Sequence, residues 1–384
     1  MIVKNKKLFL FFIIFFSTVC SASETHYLLR SPKALLMGDA FTAIANDEFG
    51  IYYNPASLGN GKLIEFSAIN PTFSIANLLS DADKFTNLSS EPTEVAETLM
   101  NTPLYLQTMG APTLKFGPVG FSMFANLRTN FNLQNVIYPQ MEIDYRFDKG
   151  FMLAYAHSWG SGGKYEKYNP YKRKKIASSG YRISLGVAGK YIDRSVLIGN
   201  FSLFGVELLN AISSGSGDLN TIRENLGYSR GNGYGLDTGI SLLFSTGRSE
   251  LNFAASILDV TGTNFERTEG TAEVPEQEMM INLGVSFSQD LPAFDYRIAI
   301  DLHPMNNSME FLRKLHIGAE ISLPVIDFFV GYGSGYLSYG LQFNLWFMKV
   351  IGGLYGIEVG STYREQEAQR AIIQLSLFDF TFDL

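Results

Sequence analysis

From about residue 63 to its end the chain repeats one pattern, apolar and polar residues alternating with a period of two. Tyr181, Ile183, Leu185 and Val187 alternate with Arg182, Ser184, Gly186 and Ala188. Leu236, Thr238, Ile240, Leu242 and Phe244 oppose Asp237, Gly239 and Ser241. Met279, Ile281, Leu283, Val285 and Phe287 oppose Asn282, Gly284, Ser286 and Ser288. The same alternation runs through 141–147, 294–302, 314–321 and 339–347. Successive strand side chains point to opposite faces, so each stretch predicts a strand with one strongly apolar face and one small, polar or charged face. Each segment is about ten residues long, enough for a tilted strand to cross about 30 Å of hydrocarbon. Lipid offers no hydrogen bonds, so such a sheet must close on itself. The pattern therefore predicts an all-β transmembrane fold, an antiparallel barrel with a wet interior.

The first strand candidate is 63–72, and 77–103 is a long polar connection. Asp148-Lys149-Gly150, Ser245-Thr246-Gly247-Arg248 and Asp290-Leu291-Pro292 look like tight turns. Long connections are predicted at 161–178, 193–232 and 262–277. About 15 segments can be marked off, whereas bacterial barrels use even numbers. Either 113–130 is one strand divided in two, or 196–209 hides a further strand or a loop helix. The chain ends in an alternating aromatic run, Phe378-Asp379-Phe380-Thr381-Phe382.

Composition supports this reading. There are 31 Phe, 20 Tyr and 36 Gly, and only 17% of residues are charged, against about 25% in an ordinary soluble domain. A net charge of −7 argues against a nucleic-acid binder. Beyond the first residues no run of 18 apolar residues occurs, which excludes a bundle of membrane helices. Residues 1–23 read as a secretory signal. Lys4, Lys6 and Lys7 precede the apolar run Leu8–Phe16, and Ser21-Ala22-Ser23 offers small residues for cleavage. Cys20, the single cysteine, leaves with that signal if cleavage falls after Ala22 or Ser23; a lipoprotein anchor at Cys20 is the alternative, which Ser17 and Val19 fit poorly.

Between signal and strands lies Ser31–Leu58. Leu35, Leu36, Met37, Phe41 and Ile44 are mixed with Gly38, Ala40, Ala43 and Ala45, a density of small residues that suits tight packing against backbone. Asn54 can cap a short helical turn begun by Pro55 and Ala56 and completed at Leu58. The run Ser31-Pro32-Lys33, then Met37-Gly38-Asp39-Ala40-Phe41-Thr42-Ala43, then Asp47, then Tyr53-Asn54-Pro55-Ala56-Ser57-Leu58, resembles the N-terminal signature of the FadL-like outer-membrane barrels. That superfamily includes fatty-acid transporters and PorV-type proteins. Asp39 and Ser57 stand where it more often has Gly. The resemblance implies about 14 strands and a hatch inside the lumen. The expected layout is a signal over 1–23, a hatch over 24–62 and a barrel over 63–384. The hatch residues are Met37, Gly38, Ala40, Phe41, Ala43, Asp47, Asn54, Pro55, Ala56 and Leu58. The final aromatic strand resembles the signal read by barrel-assembly machinery, although it ends in Leu384 rather than Phe.

No catalytic constellation emerges. Gly231-Asn232-Gly233-Tyr234-Gly235 precedes a strand rather than opening a helix, so it is not a dinucleotide fingerprint. Ser334 lacks a nucleophile-elbow context, and His26, His157, His303 and His316 have no ligand spacing. No enzyme activity, cofactor or metal is expected. A cluster of lysines, Arg173 and tyrosines at 164–175 is a solvated loop or a contact for lipopolysaccharide phosphates. Two functions are then open. One is passive uptake of hydrophobic small molecules such as long-chain fatty acids, with Leu197, Phe201, Phe204 and Leu208 as capture candidates; packing or an extra strand explains those four equally well. The other is an adaptor barrel that binds a secretion or surface-display partner. Expected partners are outer-membrane lipid and lipopolysaccharide, the assembly machinery and a fatty acid or other hydrophobic ligand.

Overall fold

A computed structural model describes residues 25–59, 64–76, 104–134, 140–163, 165–169, 174–202, 223, 226–345 and 348–382. The signal candidate, the 77–103 connection and residues 164 and 170–173 of the basic cluster therefore lie outside the described residues. One sheet dominates. In chain order its strands are β1 (Ile64–Ile69), β2 (Thr72–Ala76), β3 (Leu104–Gly110), β4 (Thr113–Phe116), β5 (Val119–Gln134) and β6 (Gln140–Gly160). After a separate hairpin of β7 (Tyr165–Asn169) and β8 (Lys174–Ala177) come β9 (Gly180–Ser202), β10 (Ser229–Ser245), β11 (Ser249–Leu258) and β12 (Glu266–Gly270). The last are β13 (Met280–Asp290), β14 (Asp295–Leu302), β15 (Leu315–Ser322), β16 (Ile326–Gly333), β17 (Tyr336–Leu345), β18 (Met348–Glu358) and β19 (Glu367–Phe382).

Every pairing is antiparallel, and β19 pairs with both β1 and β2, which closes the sheet into a barrel. β1 and β2 are two halves of one wall strand, and β3 and β4 two halves of the next. β12 pairs with the end of β10 beside the wall. Fourteen wall strands result. Residues 113–130 hold β4, which completes the wall strand begun by β3, and most of β5; of 196–209, residues 196–202 are the end of β9 and 203–209 lie outside the described residues.

The alternation sorts as expected. Tyr181, Leu185, Val187, Leu236, Ile240, Phe244, Ile298 and Ile300 face outward and are exposed. Arg182, Ser184, Ala188, Asp237, Ser241, Ala299 and Asp301 are buried on the inner side. A protein with this much apolar surface turned outward needs lipid around it. Phe151, Tyr191 and Tyr234 form an aromatic row across β6, β9 and β10, with ring centroids 5.5 and 5.3 Å apart. Beyond it Lys149 and Arg230 pair with Asp193, at 3.7 and 2.5 Å. Aromatics followed by charges mark the bilayer edge. β6 and β9, 21 and 23 residues long, continue past that edge.

Three sequence expectations need correction. Asp148-Lys149-Gly150 is not a turn but lies within β6, between β5 and β9. A Cβ on Gly150 would sit 1.9 Å from the Tyr191 carbonyl, so this glycine serves close strand approach. The 193–232 connection is shorter than expected, because β9 runs on to Ser202 and β10 begins at Ser229. The 161–178 and 262–277 connections carry strands of their own, β7, β8 and β12. The turns at 245–248 and 290–292 are as expected.

Candidate functional site

The N-terminal segment takes no part in the sheet. It opens with α1 (Pro32–Leu36), where the Ser31 hydroxyl accepts from Ala34 N at 3.2 Å and proline occupies the first helical position. The helix stops at a left-handed turn, Gly38 at φ 65° and Asp39 at φ 68°. α2 (Gly50–Tyr53) and a 3-10 turn, Pro55–Gly59, follow. Asn54 Oδ1 accepts from Ala56 N at 3.0 Å, the expected cap. Its Nδ2 donates to the carbonyls of Thr42 and Ile240, each at 3.3 Å. The cap therefore also ties two turns of the segment to the wall. Met37, Gly38, Ala40, Phe41, Ala43, Asn54, Pro55, Ala56 and Leu58 are all buried, and Asp47 is half-buried.

The wall meets this segment with glycines. A Cβ on Gly331 would lie 2.0 Å from Gly38 N, and one on Gly318 would lie 2.4 Å from the Met37 carbonyl. Gly340 and Gly353 make room for Leu36, Gly284 for Thr42, and Gly186 and Gly239 for Asn54–Ala56. From sequence Gly186, Gly239, Gly284, Gly318 and Gly340 were only small members of the polar faces, and Gly331 and Gly353 lay in no marked segment. In the fold they line a groove shaped to the segment's backbone.

Charge holds the two parts together. Lys33 Nζ lies 2.7 Å from Glu320, which also takes Arg297 at 2.5 Å. The Asp301 carboxylate accepts from the backbone N–H of Phe41 and Thr42, at 2.8 and 2.6 Å. Within the segment Arg30 pairs with Asp39 at 2.6 Å, and the Tyr53 hydroxyl donates to Asp39 at 2.9 Å. Burial works against the Asp39 carboxylate, yet Arg30, with help from His303 and His316, holds it below the usual carboxylate range. Asp47 accepts from the Ser31 hydroxyl and, at 2.9 Å, from Phe49 N. Burial, with repulsion from Glu48, pushes its carboxyl up to about 7.

Towards the short-turn end the segment borders a cavity of about 400 Å³. Asp47, Glu48, Glu65, Lys115, Glu250, Arg297, Lys349 and Asp379 line it together with small polar residues and with Ile44, Ile51, Leu58, Phe66 and Leu243. At the opposite end Tyr27, Arg30, Tyr105, Gln107 and Arg128 leave a gap of about 10 Å³, no more than one water fills. Of the capture candidates, Leu197 and Phe201 sit on β9, opposite Tyr145 and Met141 of β6, not in a loop. Phe204 and Leu208 lie outside the described residues.

A second feature was not anticipated. Pro71 and Pro112 interrupt neighbouring wall strands, between β1 and β2 and between β3 and β4. Proline brings no N–H to a ladder. Asn70 mends the gap, its Nδ2 donating to the Ala111 carbonyl at 2.8 Å and its Oδ1 accepting from Ala111 N at 2.7 Å. An Asn-Pro pair facing an Ala-Pro pair was the available signal.

No protein-family model matches the chain, and no curated protein matches it. Among solved structures it is similar to the Ralstonia pickettii toluene transporter TbuX, at 11% identity and TM-score 0.46, over 92% of this chain and 100% of that one. The monoaromatic hydrocarbon channel CymD gives 11% identity and TM-score 0.46, over 94% and 100%. The P. putida toluene transporter TodX gives 8% identity and TM-score 0.36, over 94% and 100%. On its own geometry, the protein is a transmembrane β-barrel of the outer-membrane type, closed, antiparallel and fourteen-stranded, with its N-terminal segment packed against the inner face of the wall.

Proposed function

We propose that this barrel is a passive importer of hydrophobic small molecules and that the 31–58 segment is its hatch. The observation that carries the reading is the construction of the segment. It is separate from the sheet and seated in a glycine groove. The Lys33–Glu320 ion pair and the Asp301 hydrogen bonds, polar rather than covalent, anchor it. A stopper built apart from the wall implies a passage to stop. Long-chain fatty acids are the finer reading, from the resemblance of the Ser31–Leu58 signature. Uptake of labelled oleate and labelled toluene by cells expressing wild type, or a variant lacking 31–58, tests both levels. Faster uptake of either solute than in cells without the protein supports the importer, and preference for oleate supports the fatty-acid reading. Background uptake of both by the wild type overturns it.

One observation favours the adaptor reading. The cavity beside the segment mixes eight charged residues with an apolar share from Ile44, Ile51, Leu58, Phe66 and Leu243, so it is not the largely apolar chamber a hydrophobic solute fits best. An adaptor barrel transports nothing, and its partner co-purifies while both solutes stay at background.

A further inference from the structure

Where β14 gives way to β15, two imidazoles lie face to face. His303 and His316 have ring centroids 3.9 Å apart and planes 4° from parallel, and both are buried. His316 Nδ1 is 2.7 Å from the Gly38 carbonyl, and His303 Nε2 is 2.9 Å from the Asp39 carbonyl. A carbonyl only accepts, so each of these nitrogens carries a hydrogen. The Tyr27 hydroxyl is 2.6 Å from His303 Nδ1, and donates to it while that ring is neutral. The two rings thus grip consecutive carbonyls of the left-handed turn at the end of α1. That turn seats against Gly331 and Gly333 of β16.

We propose that the stacked His303–His316 pair is a proton-operated latch on the Gly38–Asp39 turn of the hatch. The proposal rests on the hatch reading above and adds what controls it. With no more than one added proton the pair holds the turn; with both rings charged it releases it. The groups facing the pair from the packed elements are Tyr27, Arg30, Asp39 and Tyr53 of the N-terminal segment, Asp301 of β14 and Lys314 at the head of β15. Arg30 and Tyr53 already engage Asp39, the backbone of Phe41 and Thr42 engages Asp301, and Lys314 is bound to the carbonyls of Met305 and Asn307. One imidazolium is balanced by these two carboxylates. A second would stand 3.9 Å from the first, where two like charges away from bulk water repel strongly. Tyr27 would also lose its acceptor on His303. The whole contact then favours separation of the turn from the wall.

The test is planar-bilayer conductance of the full-length mature protein as the pH is stepped from 7.5 to 4.5 and back. Glutamine offers an N–H to a carbonyl but does not titrate, so His303→Gln/His316→Gln keeps the grip without the switch. Wild type should conduct several-fold more at pH 4.5 and recover on neutralisation, while the double variant stays at its pH 7.5 level. The single variants His303→Gln and His316→Gln have no pair to charge twice and should be equally flat, which keeps the test open if the double variant folds poorly. A wild type without a pH step, or a glutamine variant with the wild-type step, overturns the latch. Asp301→Asn is the control for acid loosening through that carboxylate, and loss of the step in Asp301→Asn with retention in the histidine variants also overturns it. If wild type at pH 7.5 already conducts as well as the variant lacking 31–58, the hatch reading itself fails and the latch with it.

Discussion

Asn70 and Ala111 are joined by two hydrogen bonds that a side chain makes in place of a backbone. The Asn70 amide donates to the Ala111 carbonyl at 2.8 Å and accepts from the Ala111 N–H at 2.7 Å. These bonds span the point where Pro71 and Pro112 break neighbouring strands. Both Asn70 and Ala111 are buried, so the wall there has no water to fall back on.

Asn70→Ala should therefore destabilise the barrel. It strands the Ala111 N–H, while the Ala111 carbonyl keeps the Thr113 hydroxyl at 2.9 Å, and an unsatisfied buried group costs about 1–3 kcal/mol. Asn70→Asp keeps an acceptor for the Ala111 N–H and should cost less. Urea-dependent folding into lipid vesicles measures both. An alanine variant as stable as wild type would show that the seam is held by something else.

Leu185 and Ser184 are neighbours on β9 with opposite surroundings. Leu185→Arg places a charge on the lipid face and should cost about 2–4 kcal/mol of insertion if it lies near mid-bilayer. Ser184 faces inward, but an empty lumen is not what it faces. It is fully buried, and its hydroxyl lies 2.8 Å from that of Ser158. A Cβ on Gly59 would come within 2.6 Å of it. Ser184→Arg should thus leave insertion nearly intact yet dislodge the end of the N-terminal segment. Folding assays and conductance together separate the two, and equal insertion defects would refute the face assignment.

Gly331→Val tests the groove. Its Cβ would fall 2.0 Å from Gly38 N, backbone against backbone, where neither partner can rotate away. The expected outcome is a folded barrel with raised ion conductance and a protease-sensitive 31–58 segment. A variant as tightly closed as wild type would mean that the segment does not seat against β16.

Asp47 predicts a pH effect of its own. Its folded carboxyl is pushed up to about 7 from the ordinary 3.8. A raised carboxyl favours the protonated folded form, so its contribution is fully present below about pH 4 and is lost as the pH rises through about 7. Acid should tighten the Ser31–Asp47 end of the segment, opposite in sign to the histidine latch. In the His303→Gln/His316→Gln background, protease resistance of the segment should therefore rise from pH 8 to pH 5. Asp47→Asn should remove that dependence. A flat profile in the glutamine background would rule Asp47 out as a titrating anchor.

The alternation of the wall strands could be read directly from the sequence. A period of two with one face of Tyr, Leu, Ile and Phe has few physical solutions in a chain this poor in charge. The cap at Asn54 was equally legible, because capping is decided within three residues. What the sequence left open was everything that depends on the neighbouring strand. Asp148-Lys149-Gly150 has turn propensity, but pairing on both sides overrides it. Glu320 is an inward carboxylate by parity, and only closure of the barrel brings Lys33 to it from 287 residues away. Gly318, Gly331 and Gly340 are merely small until the fold lays the backbone of Leu36–Gly38 across them. His303 and His316 are 13 residues apart with no ligand spacing, and stack because β14 and β15 turn both rings to the same side. Local sequence determines which way a side chain points, through the fixed geometry of strand and cap. What the side chain meets is decided by the registers of fourteen strands at once, and no short stretch contains that information.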